Sequence, residues 1–264
     1  MIVSTANEPS PTRMATPQPV EEVLASIIIP AYNEESRLPR SLSKVVEYVQ
    51  SRPVCMEVLV VENGSHDRTT AIAEDFAGRY PFIHVLHSAK GKGAAVRAGM
   101  LAGRGRYLFM CDSDLSMPIA ELGKFLPPAL DGYDVAIGMR EGPGAHRYGE
   151  PAYRHLMGRV FNLIVRGLAI PQFPDSQCGF KSFRREVALE IFADLTTLGW
   201  SFDVEALFIA LRRGYRVVGV PIDWYFDGDS RVSAARDTLR MLREVLQIRL
   251  NGWRGVYERP RAAG

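Results

Sequence analysis

Residues 25–34, Ala25-Ser26-Ile27-Ile28-Ile29-Pro30-Ala31-Tyr32-Asn33-Glu34, decide how the chain is read. The run at 25–29 is short and isoleucine-rich, and Pro30 stops it, which predicts a buried strand opening into a polar turn. Residues 56–61 repeat the pattern and end in Glu62-Asn63-Gly64-Ser65. Between the two runs Leu38, Leu42, Val45, Val46 and Val49 recur at helical spacing. Beyond the second, Asp67 predicts the cap of a helix that reaches about Tyr80. A strand at 83–86, a helix at 93–102 and a strand at 106–111 follow, the last running into Asp112-Ser113-Asp114. This alternation predicts an α/β fold, a doubly wound, mostly parallel sheet whose ligands gather in a crevice beyond the carboxyl ends of the strands.

Farther along, the pattern predicts a strand at 135–138, a helix at 153–168, a loop through 174–179, a helix at 203–213, a strand at 216–220 and a final helix at 236–250. The chain has 264 residues, 47% of them hydrophobic, enough for one large core. Residues 1–22 are rich in Pro, Ser, Thr and Glu and have neither a basic start nor an apolar run, so a disordered tail is expected there and not a signal peptide. One domain over 23–251 and a flexible tail over 252–264 complete the expected organisation. With 32 Lys and Arg against 30 Asp and Glu, net charge gives no argument for nucleic acid. Cys55, Cys111 and Cys178 are odd in number and far apart, which disfavours a disulfide framework or a zinc site and fits a reducing, cytoplasmic setting. Arg159 and Arg166 interrupt the best apolar window, so no membrane span is expected.

Chemistry is concentrated at the strand ends. Pro30, Ala31, Tyr32 and Glu34 close the first; Glu62, Asn63 and Gly64 close the second; Asp112, Ser113 and Asp114 close the fourth. The connector Lys90-Gly91-Lys92-Gly93 adds two cations and a glycine turn at a helix start. Carboxylates at the first two ends suit ribose hydroxyls and base N–H groups, while Lys92 and the backbone donors of the glycine turn suit a phosphate. Asp112 and Asp114, two apart in an extended segment, leave on one side and can grip a hard cation, magnesium or manganese, through oxygen. Each feature also has an ordinary reading, as helix cap, turn or solvated loop, and Asp227-Gly228-Asp229, a second such pair, reads as a glycine turn. Their conjunction in strand order favours a nucleotide site.

Together these motifs resemble glycosyltransferase family 2, enzymes of the GT-A fold that transfer sugars with inversion. Where the family carries Asp this chain has Glu62. Gly138-Met139-Arg140, Asp175-Ser176-Gln177-Cys178-Gly179-Phe180-Lys181, Trp200-Ser201-Phe202-Asp203-Val204-Glu205 and Val220-Pro221-Ile222-Asp223-Trp224 are similar to the dolichyl-phosphate glucosyltransferase and mannosyltransferase branch. The resemblance implies that Ala31, Tyr32, Glu34 and Glu62 hold the nucleoside, that Lys92 nears its diphosphate and that Asp112 and Asp114 face metal and sugar. It further implies that Arg140 meets phosphate, with Asp175 the first and Asp203 the second choice of general base for a hydroxyl acceptor. A phosphate acceptor hardly needs one. The implied reaction is transfer of glucose from UDP-glucose to a polyprenyl phosphate at the inner face of a membrane; GDP-mannose as donor, or a soluble or saccharide hydroxyl as acceptor, is the alternative, and a non-catalytic nucleotide-sugar module is the reading from another class. Arg236, Arg240, Arg243 and Arg249, interleaved with leucines, read as a basic amphipathic helix able to rest on a membrane surface, with residues 155–170 as a second contact. Oligomeric state is left open.

Overall fold

A computed structural model describes residues 22–173, 175–228 and 234–258. The expected N-terminal tail, except Glu22, lies outside the described residues, as do Asp229 and the last six positions. The first half follows the alternation: β1 (Ala25–Ala31), α1 (Leu38–Gln50), β2 (Met56–Glu62), α2 (Thr69–Arg79), β3 (Ile83–His87), α3 (Lys92–Ala102) and β4 (Tyr107–Cys111). Pro30 does not end β1. The strand continues to Ala31 because its edge toward β4 is already unpaired there, so the missing N–H costs no ladder bond.

A single 3₁₀ segment (Ile119–Phe125) precedes β5 (Val135–Met139), β6 (His146–Tyr148) and α4 (Ala152–Leu168). Then come β7 (Phe180–Arg184), α5 (Arg185–Ala193), α6 (Phe202–Arg212), β8 (Val217–Pro221), β9 (Asp223–Tyr225) and α7 (Ala234–Trp253). The seven-stranded sheet runs β3-β2-β1-β4-β7-β5-β8, and β6 pairs with β9 in a separate two-stranded ladder. All pairs in the large sheet are parallel except that β7 lies antiparallel between β4 and β5.

Strand residues alternate between two cores. Ile27, Ile29, Val58, Val60 and Phe109 pack against α1, α2 and the 3₁₀ segment, while Ile28, Leu59, Val61, Leu108 and Met110 pack against α3, α5, α6 and α7. Burial on both faces explains why these strands read as continuous apolar runs. Tyr257 is also fully buried, its hydroxyl donating to Glu205 Oε1 at 2.7 Å, so the packed chain extends past the boundary expected at 251. From β1 the chain moves outward to β2 and β3 and then returns to β4 on the other side of β1. That reversal makes the β1–β4 boundary the switch point where a crevice must open.

Candidate active site

The β1 and β2 turns are stitched together. Asn33 takes a left-handed conformation (φ 52°), which aims its N–H at Ser65 Oγ (3.0 Å) and its Oδ1 at the His66 N–H (2.8 Å). Glu34 N–H donates to Thr69 Oγ1 at 2.7 Å, and Asp67 accepts from the N–H groups of Thr69 and Glu35, its carboxylate reaching the first N–H of α2 from two residues before the helix. The Glu62 carboxylate accepts the Ser65 N–H and lies 3.4 Å from His87 Nδ1. Burial pushes this carboxyl up, but those hydrogen bonds outweigh burial and hold it below the usual range. The Asn63 N–H donates to the Ala31 carbonyl at 3.2 Å. Lys90 Nζ stands 5.0 Å from the Tyr32 ring centroid. Thus Pro30, Ala31, Tyr32, Glu34, Glu62, Asn63 and Gly64 form one wall.

The β4 end supplies the facing wall. Lys92 Nζ pairs with Asp112 Oδ1 at 2.7 Å and lies 5.4 Å from the Trp200 ring. Burial lowers the pKa of this lysine, but Asp112 first and then Asp114 and Asp203 overcome it and keep the ammonium charged. A Cβ on Gly179 would sit 2.5 Å from the Asp112 carboxyl carbon, so only glycine at 179 lets the carboxylate lie where it does. Asp114 Oδ1 accepts the Ser116 N–H at 2.9 Å. Burial and the neighbouring Asp112 charge raise its carboxyl pKa. Leu115, the next residue, is held at φ 49°, a sparsely populated conformation for a non-glycine residue that the Asp112-Ser113-Asp114 turn imposes.

These oxygens fit a hard divalent cation: two crowded carboxylates gain from a positive charge between them, and such ions complete their shell with water and substrate phosphate. Among the described residues no group of three or more His, Cys, Asp or Glu is arranged to hold a metal by itself.

Two expectations are corrected. Two N–H groups of the glycine turn are not offered to a phosphate, because Gly93 and Ala94 donate to the Gly199 and Leu198 carbonyls at 3.2 and 3.3 Å. Gly91 and Gly93 are instead required by packing, since a Cβ at either position would run into residues 197–202. Arg140 and Asp175, expected to act separately, are one buried pair: Nε and Nη2 reach the two carboxylate oxygens at 2.8 and 2.7 Å, and the Arg140 N–H adds a third bond at 3.1 Å. Burial pushes the Asp175 carboxyl up, but the Arg140 charge and hydrogen bonds prevail and hold it below the usual aspartate range. A carboxylate bound this way is a poor proton acceptor.

Asp203, in the first turn of α6, accepts from fully buried Lys181 Nζ at 3.2 Å. Lys181 also donates to the Cys178 carbonyl at 2.5 Å. Ser113 is buried in the β4 turn. Sequence reasoning missed Arg37, whose only signal was its position three residues after Glu34. It grips both Glu34 oxygens at 2.8 and 3.0 Å and reaches Asp227 at 3.1 Å.

Comparison with known proteins agrees with this geometry. The model of the family "Glycosyl transferase family 2" matches residues 26–192. The chain is 33% identical to dolichyl-phosphate beta-glucosyltransferase ALG5C of Trichomonas vaginalis, over 95% of this chain and 79% of that protein. It is 30% identical to the human dolichyl-phosphate beta-glucosyltransferase, over 88% of this chain and 76% of that one. In fold it is similar to glucosyl-3-phosphoglycerate synthase of Mycobacterium tuberculosis, crystallised with Mn2+, UDP and phosphoglyceric acid. That match has a TM-score of 0.61 at 19% identity and covers 91% of this chain and 80% of that one. With the sheet order, the strand-end motifs and the family match in agreement, the chain belongs to glycosyl transferase family 2 and carries its GT-A fold.

Proposed function

We propose that the chain transfers a hexose, glucose from UDP-glucose, with inversion onto a polyprenyl phosphate. Hexosyl transfer accords with the family and with relatives named as glucosyltransferases. One observation carries the choice of acceptor: both carboxylates that would serve as general base are buried and engaged by cations, Asp175 by Arg140 and Asp203 by Lys181. A hydroxyl acceptor has to lose its proton, whereas a phosphate arrives as an anion and needs no base.

In this reading the Asn33–Ser65 and Glu34–Thr69 bonds hold the nucleoside wall rigid, so Tyr32, Glu34, Glu62 and Asn63 meet the base and ribose without reorganising. Asp112 and Asp114 would hold magnesium or manganese, which would supply positive charge against the departing diphosphate. Lys92, kept charged by Asp112, faces the same diphosphate. The Trp200 ring lies 5.4 Å from the same ammonium. The Arg140–Asp175 pair fixes the 175–179 loop, whose Gly179 seats Asp112. The acceptor phosphate then attacks the anomeric carbon opposite the leaving group, which turns the sugar over.

Peripheral membrane contact belongs to the same proposal. The exposed residues Tyr153, Leu156, Met157, Val160, Leu163 and Ile164 form an apolar stripe along α4. Exposed Arg159 and Arg166 flank it, a pattern that suits an anionic surface. Arg236 of α7, expected to join such a face, has a side chain outside the described residues, while Arg240 and Arg243 are exposed. Among the described residues no helix is long and apolar enough to cross a membrane.

The test is UDP release from UDP-glucose with manganese, comparing a polyprenyl phosphate with the matching polyprenol. Turnover with the phosphate alone is expected, and Asp114→Asn should abolish it while leaving the fold intact. Equal turnover with the alcohol overturns the acceptor assignment. A preference for GDP-mannose overturns the donor, and nucleotide binding without any turnover points to a non-catalytic module.

A further inference from the structure

We propose that Tyr225, Phe226 and Asp227 form a tie that sets the width of the donor crevice, with Asp227 a positioning residue acting on Glu34 through Arg37. The proposal rests on the donor-site reading above. Its starting point is the sheet register. β1 stays paired with β2 as far as Ala31–Glu62, but its pairing with β4 stops at Ile28–Met110. Beyond that pair the nucleoside wall and the metal wall separate with no ladder bond between them, which is how the crevice opens.

Three consecutive residues span the gap, each holding a different element. The Tyr225 N–H donates to the Ser116 carbonyl at 2.7 Å, and Ser116 is the residue whose own N–H holds Asp114. The Phe226 N–H donates to the Tyr148 carbonyl of β6 at 2.9 Å. Asp227 Oδ2 accepts from Arg37 Nη1 at 3.1 Å, while Nε and Nη2 of the same guanidinium hold Glu34. Arg37 uses all three nitrogens of its planar fork, a geometry that transmits the position of one carboxylate to the other. The Asp227 side chain is 30% exposed and Arg37 19%, so the contact is partly screened and can be lost without unfolding the domain. The Asp227-Gly228 turn, which sequence reading assigns to ordinary turn chemistry, thus reaches the donor wall.

Calorimetric titration of UDP in the presence of manganese, alongside steady-state kinetics, tests the tie. Asp227→Ala should weaken UDP binding about fivefold and raise the donor KM by the same factor, with kcat within about twofold and the melting midpoint unchanged. Asp227→Glu should restore most of the affinity. In a Glu34→Gln background the same Asp227→Ala substitution should change affinity by less than about twofold, because its route of action has been removed. Unchanged UDP affinity in Asp227→Ala overturns the tie, as does an equal loss in the Glu34→Gln background, or a fall in melting midpoint and kcat with affinity intact. Failure of the unsubstituted chain to bind UDP overturns the donor reading and the tie together; normal binding that ignores Asp227 overturns the tie alone.

Discussion

Gly179→Ala isolates the seating of Asp112 with a single methyl group. The added carbon would lie 2.0 Å from Asp112 Oδ2 and 2.5 Å from the carboxyl carbon, where ordinary contact begins at 3.4 Å, so the nearest oxygen must retreat by about 1.4 Å. Gly179 is not in the left-handed region, so the alanine backbone is unstrained and the whole effect falls on Asp112. The Asp112 side chain is 22% exposed and can swing toward solvent, which predicts a normal fold with a melting midpoint lowered by a few degrees at most. The 2.7 Å contact with Lys92 cannot survive the shift unchanged. With Asp112 holding the metal as proposed, a misplacement of about 1 Å or more costs on the order of 100-fold in rate, so kcat should fall by at least about that factor, and more manganese should be needed for half-maximal rate. UDP release over a manganese series, with a circular dichroism melt, reads both quantities. A variant within about threefold of the parent at every manganese level refutes the seating argument.

Arg140→Met strands the Asp175 carboxylate in the core and should destabilise the domain by about 3–5 kcal/mol in urea unfolding; a loss below about 1 kcal/mol would mean that water reaches Asp175. The native Asp175 carboxyl lies below its unfolded value, so its stabilisation is complete above about pH 4 and is lost as pH falls through the lower folded pKa. Stability measured between about pH 4 and pH 2 should therefore fall less steeply in Asp175→Asn than in the parent, and parallel curves would contradict the pair. Replacing Leu156, Val160 and Leu163 of α4 by serine should reduce sedimentation with anionic liposomes without lowering the melting midpoint, because these side chains are mostly exposed. Unchanged sedimentation would remove α4 from the membrane surface.

Sequence periodicity found most elements of the first half but missed β7, α5, the 3₁₀ segment and the small β6–β9 ladder. Phe180-Lys181-Ser182-Phe183-Arg184 received no element in the sequence reading, its polar residues interrupting the apolar run of a buried strand. Lys181 is tolerated there because Asp203, 22 residues away in sequence, lies within reach of its ammonium. The candidate site divides in the same way. The strand-end residues were visible as motifs, whereas the engagement of Asp175 by Arg140 and the capping of α3 by residues 198–199 were not.

What the sequence by itself determined is what depends on neighbours along the chain: apolar period, the residues that end strands and cap helices, and the polar groups placed at those ends. The tertiary structure alone decided which end faces which, that β7 inserts antiparallel beside β4, that Gly179 makes room for Asp112, and that Asp227 reaches Arg37 across 190 positions. Local propensity reads a few residues at a time. A charge's partner, and hence whether it is free to act as a base or already neutralised, is set by packing between segments that the chain order keeps far apart.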